Sequence, residues 1–168
     1  MNIFVLDEDV EVCARYHCDA HIRKMIIEYA QLLSFAFYSV PEIGAAFYDY
    51  GLIYKNSKAH FNHPCAVWVR ESLANWEWLQ QLAIHLSLEH WYRYGQYSGN
   101  FHKSGVMLNN MPTPEHLPNK ELTEQPKCMP DQFKDETVIT SYRNYYRYDK
   151  VRFATWKNRS IPYFMKIQ

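Results

Sequence analysis

The chain has 168 residues, 48% hydrophobic and 21% charged, and its eighteen basic and eighteen acidic side chains cancel to a formal net charge of zero. That length suits one domain that buries a core without help from metals or disulfides. Neutrality argues against a protein that coats duplex DNA, because such binding draws on a clear excess of Lys and Arg, but it leaves room for a local grip on one nucleotide or one short single strand.

In chain order, NIFVL (2–6) is β-branched and aromatic enough to predict a short strand. Asp7 and Asp9 offer caps to a long helix, VEVCARYHCDAHIRKMIIEYAQLLSFAFYSV, that ends before Pro41. EIGAAFYDY (42–50) suggests a short helix, and KNSKAHFNH (55–63) a loop. Pro64 suits the first turn of a second long helix running through CAVWVRESLANWEWLQQLAIHLSLEHWYRY, with Gly95 as its stop. From 95 to 130 the chain turns irregular: GQYSGNFHKSG is turn chemistry, and five of the eight prolines lie between 112 and 130. Asp135 is placed to cap a third helix, ETVITSYRNYYRYDKVRFATWK, and SIPYFMKI at the end reads as a strand that pairs with NIFVL. The expected fold is mainly α: a compact bundle of three long helices plus short ones in a single domain, 1–168. It carries a Pro-rich loop at 95–130 and a small two-stranded pairing of the termini.

Cys13, Cys18, Cys65 and Cys128 contain no C-x-x-C pair, so free thiols in a reducing cytoplasm are the simple expectation. MNIFVLDEDV has an apolar run of only four residues before it turns acidic, which is no secretory leader, and no stretch approaches the roughly 20 apolar residues that span a bilayer.

ARYHCDAHIRKMIIEYAQLL (14–33) raises the functional question. On an ideal helix His17, His21, Lys24, Glu28 and Gln31 share one stripe about 80° wide, bordered on both sides by apolar residues. Such a stripe is either a solvent face carrying an i,i+4 pair of Lys24 and Glu28, or a polar groove able to move protons and bind phosphate. Asp19 lies off it, as expected if the helix breaks near His17 and Asp19 caps the second part. His17 and His21 also have the spacing for two imidazoles on one ion, with His60, His63 or His102 as a third ligand.

Further candidates flank the helices. His63 precedes the second helix at a start suited to an anion, with Arg70 and Asn75 beyond it. Arg93, at that helix's end, leads to His102 and Lys103 in a glycine-flanked loop, a plausible phosphate clamp. Arg143, Arg147, Lys150, Arg152, Lys157 and Arg159 alternate with rings, the chemistry of single-strand or nucleotide binding or, equally, a helix with tyrosines inward and a basic face outward. No Gly-rich phosphate loop and no G-x-S-x-G elbow is present, and no motif identifies a cofactor, which stays unknown.

CDAHIRKMIIEYAQLL, NHPCAVWVRESLANWEWL, RYGQ with the HK after it, MPDQFK and YRNYYRYDKVRFATWKNR together resemble a set of small proteins encoded by tailed bacteriophages. The resemblance covers most of the chain and implies an origin, in the host cytoplasm, rather than a mechanism; nucleotide or DNA chemistry follows by analogy with other small phage enzymes. The phage-type pyrimidine-dimer glycosylases use a free N-terminal amine beside a glutamate. Glu28 could stand for that glutamate, but Asn2 is bulky enough that Met1 should stay, and the match fails at the nucleophile.

The leading expectation is therefore a protein acting on a nucleotide or on a base in single-stranded or base-flipped nucleic acid. His21, Lys24 and Glu28 would be the catalytic group, with Glu28 or His21 as acid or base. His17, Gln31, His63, Arg70, Asn75, Arg93, His102 and Lys103 would hold substrate and phosphate. The alternatives are a non-catalytic module that binds a host or phage protein through its aromatic surface, and a His-ligated metal-dependent hydrolase.

Overall fold

The computed structural model describes residues 1–56, 58–95 and 101–166. Seven α-helices occur among them: α1 (Val10–Tyr16), α2 (Asp19–Ser34), α3 (Pro41–Asp49), α4 (Pro64–Glu71), α5 (Leu73–His90), α6 (Lys103–Asn110) and α7 (Val138–Tyr148). The fold is mainly α, as the periodicity predicts, and no strand occurs among the described residues.

Each long predicted helix is shorter than expected because a side chain caps the chain where it breaks. Asp9 starts α1 by accepting from the amides of Glu11 and Val12. The first helix breaks at His17 and Cys18, and Asp19 opens α2. Ser72 divides the second: its backbone is extended, and its hydroxyl accepts from the Asn75 amide to begin α5. A π-helical turn, Trp91–Gly95, closes that helix at the predicted stop. Thr137 rather than Asp135 caps α7, through a capping box with Thr140. The turn-rich 96–100 stretch lies outside the described residues, but the expected irregular loop contains α6, capped by His102 accepting from the Ser104 amide.

The predicted strand pairing does not form. Ile3 to Leu6 are buried, and their backbone groups are satisfied by side chains instead of a ladder. The Phe4 amide donates to Tyr29 Oη at 3.0 Å, the Leu6 amide to Cys13 Sγ at 3.2 Å, and Arg143 Nε to the Leu6 carbonyl at 2.8 Å. Tyr163–Met165, in the expected second strand, is a 3-10 turn. The N-terminal segment is thus a thread through the core.

α2 lies along α5, which α1, α4 and α6 also touch. Ile22, Ile26, Tyr29 and Leu33 of α2 and Trp76, Leu79, Ala83 and Leu86 of α5 are fully enclosed, and Trp76 Nε1 donates to the Leu33 carbonyl at 3.1 Å. At Gly105, α6 comes so close to α5 that a Cβ would overlap the Ser87 side chain. No helix of the described residues is long and apolar enough to cross a membrane.

Candidate functional site

Burial divides the polar stripe of α2 into three parts. His17 is fully buried behind it. Its Nδ1–H donates to the Cys13 carbonyl at 2.8 Å, and its Nε2 lies 3.1 Å from Tyr29 Oη, which takes the Phe4 amide proton and gives its own. Both ring nitrogens are committed and burial lowers its pKa to about 4, so His17 is a neutral core residue. It has no nitrogen left to share an ion with His21, and the two-histidine metal arrangement does not form.

His21, Lys24 and Glu28 meet on one cavity of about 170 Å³, whose other walls are Met1, Asn2, Phe4, Met25 and Lys150. The Phe4 ring stacks on His21 at 4.3 Å, and Phe153, 40% exposed, packs edge-on against the same imidazole. Tyr146 Oη lies 2.6 Å from His21 Nδ1. Burial holds that phenol protonated, so it has a proton to donate, and we assign the His21 proton to Nε2. Burial lowers the His21 pKa to about 3, with His17 and Lys150 adding in the same direction. His21 is therefore a neutral hydrogen-bonding group near pH 7, and the expected acid–base role narrows to Glu28.

Lys24 and Glu28 form the predicted i,i+4 pair at 3.2 Å, but unequally: the Lys24 side chain is 70% exposed and that of Glu28 only 16%. The carboxylate lies in the groove and its partner at the rim. Lys150, from beyond the end of α7, reaches the same cavity. Burial would lower its pKa, but hydrogen bonds with Asp149 (2.8 Å) and Tyr145 (2.9 Å) outweigh that and raise it, so it is a cation. Gln31, one turn beyond Glu28, lines an adjoining cavity of about 260 Å³ with Phe35, Lys55, His60 and Met1, the residue common to both.

The other candidates stand apart. Arg93 is fully enclosed: it donates to Glu89 at 2.7 Å, to Asp19 at 3.0 Å, and to the carbonyls of His17 and Arg15. Its expected phosphate role gives way to a structural one, because its donors are spent inside the fold. Arg159 completes that network on Glu89. Asn75, also fully buried, clamps the 118–126 segment by donating to the Trp68 carbonyl and Thr123 Oγ1 and accepting from the Thr123 amide. Arg70 lies over the Phe61 ring at 3.6 Å, with Nη1 buried and unpaired. His63 caps α4 and sits with Cys65 and Cys128. His102 caps α6 against the His90 ring, and Lys103 is exposed beside it. None of these six lines the groove.

Most of the basic C-terminal segment is likewise tied down: Arg143 holds Leu6 and Asp7, and Arg147 holds the Phe164 carbonyl. Lys150 was legible only as one of that run, and Phe4 only as part of a strand, because what joins them to α2 is tertiary.

No known protein family matches the chain, and no curated protein or solved structure matches it.

Proposed function

We propose that the groove along α2 binds a nucleotide, or one base of a single-stranded or base-flipped nucleic acid, and acts on it through Glu28. The observation that carries this reading is the convergence of Glu28, His21, Lys24 and Lys150 on one cavity. Alone that cavity is smaller than the roughly 300–1,000 Å³ of ordinary ligand sites, so it suits one ring or one phosphate; with the adjoining cavity of Gln31, Lys55 and His60 the space reaches that range. In this reading Lys24 and Lys150 hold phosphate as point charges, Phe153 stacks a base at the rim, and His21 donates from Nε2. Glu28, half-enclosed and paired to a displaceable lysine, takes or gives the proton. The chain is read as phage-encoded and working in the host cytoplasm.

A second reading, a protein-binding module, is favoured by one feature. Leu88, Trp91, Tyr92 and Phe101 are 37–51% exposed near the end of α5, with Trp91 stacked on Phe101 at 5.7 Å.

A thermal-shift series with nucleoside mono- and triphosphates and short oligonucleotides tests the first reading. A ligand at 100 times its dissociation constant adds about 2.7 kcal/mol to the folded state, several degrees in Tm. The expected shift is reduced in Glu28→Gln and Lys150→Ala and kept in Lys103→Ala. No shift with any of these ligands overturns the reading in favour of the second.

A further inference from the structure

A second cluster of chemically able side chains lies outside the groove's walls. His63 and Cys65 stand one residue apart at the start of α4, with Pro64 between them in the first turn. Cys128 arrives from a loop 63 positions later and brings its Sγ to 3.6 Å from that of Cys65. The three potential donor atoms all lie within 4.8 Å of one another. Cys65 is fully buried and Cys128 partly so, and neither is in a disulfide.

We propose that His63, Cys65 and Cys128 form a site for a soft divalent cation of the zinc class, with the fourth coordination position open to water or an outside ligand. The sulfur spacing is the first argument. Two thiolates at the usual Zn–S length of about 2.3 Å, separated by 3.6 Å, subtend about 103° at the metal, close to a tetrahedral angle. A disulfide would need the sulfurs at about 2.05 Å. Donor type is the second: two thiolates and an imidazole are the soft set that selects zinc or its close relatives over magnesium or calcium. Closing the tetrahedron brings the donors to about 3.6 Å apart, a movement of about 1 Å from the widest spacing the cluster allows. His63 supplies it by rotating, exchanging its 3.2 Å capping bond from the Cys65 amide for the metal.

The framework around the donors is rigid. The Cys128 amide donates to Tyr142 Oη at 3.3 Å, and that fully buried phenol donates to the Pro126 carbonyl at 2.9 Å, pinning the loop to α7. Cys65 is set by the first turn of α4. Three protein ligands with an open fourth position is the arrangement of zinc sites that bind water or substrate, rather than of purely structural ones. This inference is independent of the α2 groove and uses none of its residues.

Titration of the reduced full-length chain with Co²⁺, followed by competition with Zn²⁺, tests the site. The expected result is one equivalent bound, with a thiolate-to-cobalt charge-transfer band and visible bands of tetrahedral intensity, all displaced by zinc. Cys128→Ser, at the less buried sulfur, is expected to abolish the charge-transfer band while keeping the helical circular dichroism. His63→Ala should weaken binding and leave α2-groove ligands unaffected. Absence of the band in the folded wild type overturns the proposal, as does a band that survives in Cys65→Ser/Cys128→Ser. Failure to bind cobalt together with rapid formation of a Cys65–Cys128 bond in air, read as the loss of two hydrogens by mass, replaces the metal site with a thiol–disulfide pair.

Discussion

The phenol of Tyr146 and Nδ1 of His21 lie 2.6 Å apart although 125 positions separate them in the chain. This contact joins α7 to α2, fixes the tautomer of the imidazole, and turns a histidine that the sequence offers as an acid or base into a neutral donor. Tyr146→Phe removes the proton donor and leaves a buried ring nitrogen unpaired. It should cost about 1–3 kcal/mol in a urea unfolding experiment and weaken ligand binding in the groove. His21→Gln, which keeps a polar group there, should be milder in the same measurement.

The two buried histidines set a pH dependence. Burial lowers His17 to about 4 and His21 to about 3, both below the ordinary 6.5, so below pH 6.5 the unfolded chain takes up protons that the folded one refuses. The stability tied to their neutral forms is complete above pH 6.5 and is lost as pH falls through 4 and then 3. While both titrate only in the unfolded chain, these two alone give a slope of up to roughly 2–3 kcal/mol per pH unit. His63, His90 and His102, also lowered by burial, act in the same direction. Urea midpoints measured from pH 7.5 to 4 should fall along this curve in the wild type and more shallowly in His17→Gln/His21→Gln.

Arg93 should behave as a pillar rather than as a ligand contact. Burial pushes the Asp19 carboxyl up, but hydrogen bonds from Thr155, Arg93 and the Lys157 amide outweigh that and hold it below its ordinary value. Glu89 is shared between Arg93 and Arg159. Arg93→Met leaves two buried carboxylates short of a cation and is expected to cost about 3–5 kcal/mol by denaturant unfolding. Lys103→Ala, at an exposed position, should stay within about 0.5 kcal/mol of the wild type.

The contact of α6 with α5 has its own test. Gly105→Ala drives a methyl group into Ser87 Oγ and should destabilise by about 1–3 kcal/mol. Gly105→Ala/Ser87→Gly, which reopens the space, should recover part of that in the same unfolding assay.

What could be read beforehand followed from local rules. The 3.6-residue period marked α2 and α7, and i,i+3 and i,i+4 spacing put His21, Lys24 and Glu28 on one face. Ser72 was a readable stop within an apolar run, since its hydroxyl reaches the amide three residues on. α6 escaped because KSGVMLNN is short and holds a glycine that ordinarily argues against a helix. NIFVL misled because a β-branched run describes extended backbone without saying what it pairs with. Lys150 beside Glu28, Tyr146 on His21 and Cys128 on Cys65 are tertiary meetings of distant segments, to which no local pattern points.

The central claim is that the α2 groove is where a nucleotide or a base binds. Backbone-amide NMR of the labelled chain, titrated with a nucleoside monophosphate and with a short single-stranded oligonucleotide, tests it most directly. The account predicts shifts concentrated at Phe4, His21, Lys24, Met25, Glu28 and Lys150, reduced in Glu28→Gln. Shifts confined to Leu88, Trp91, Tyr92 and Phe101, or none at saturating ligand, would contradict it.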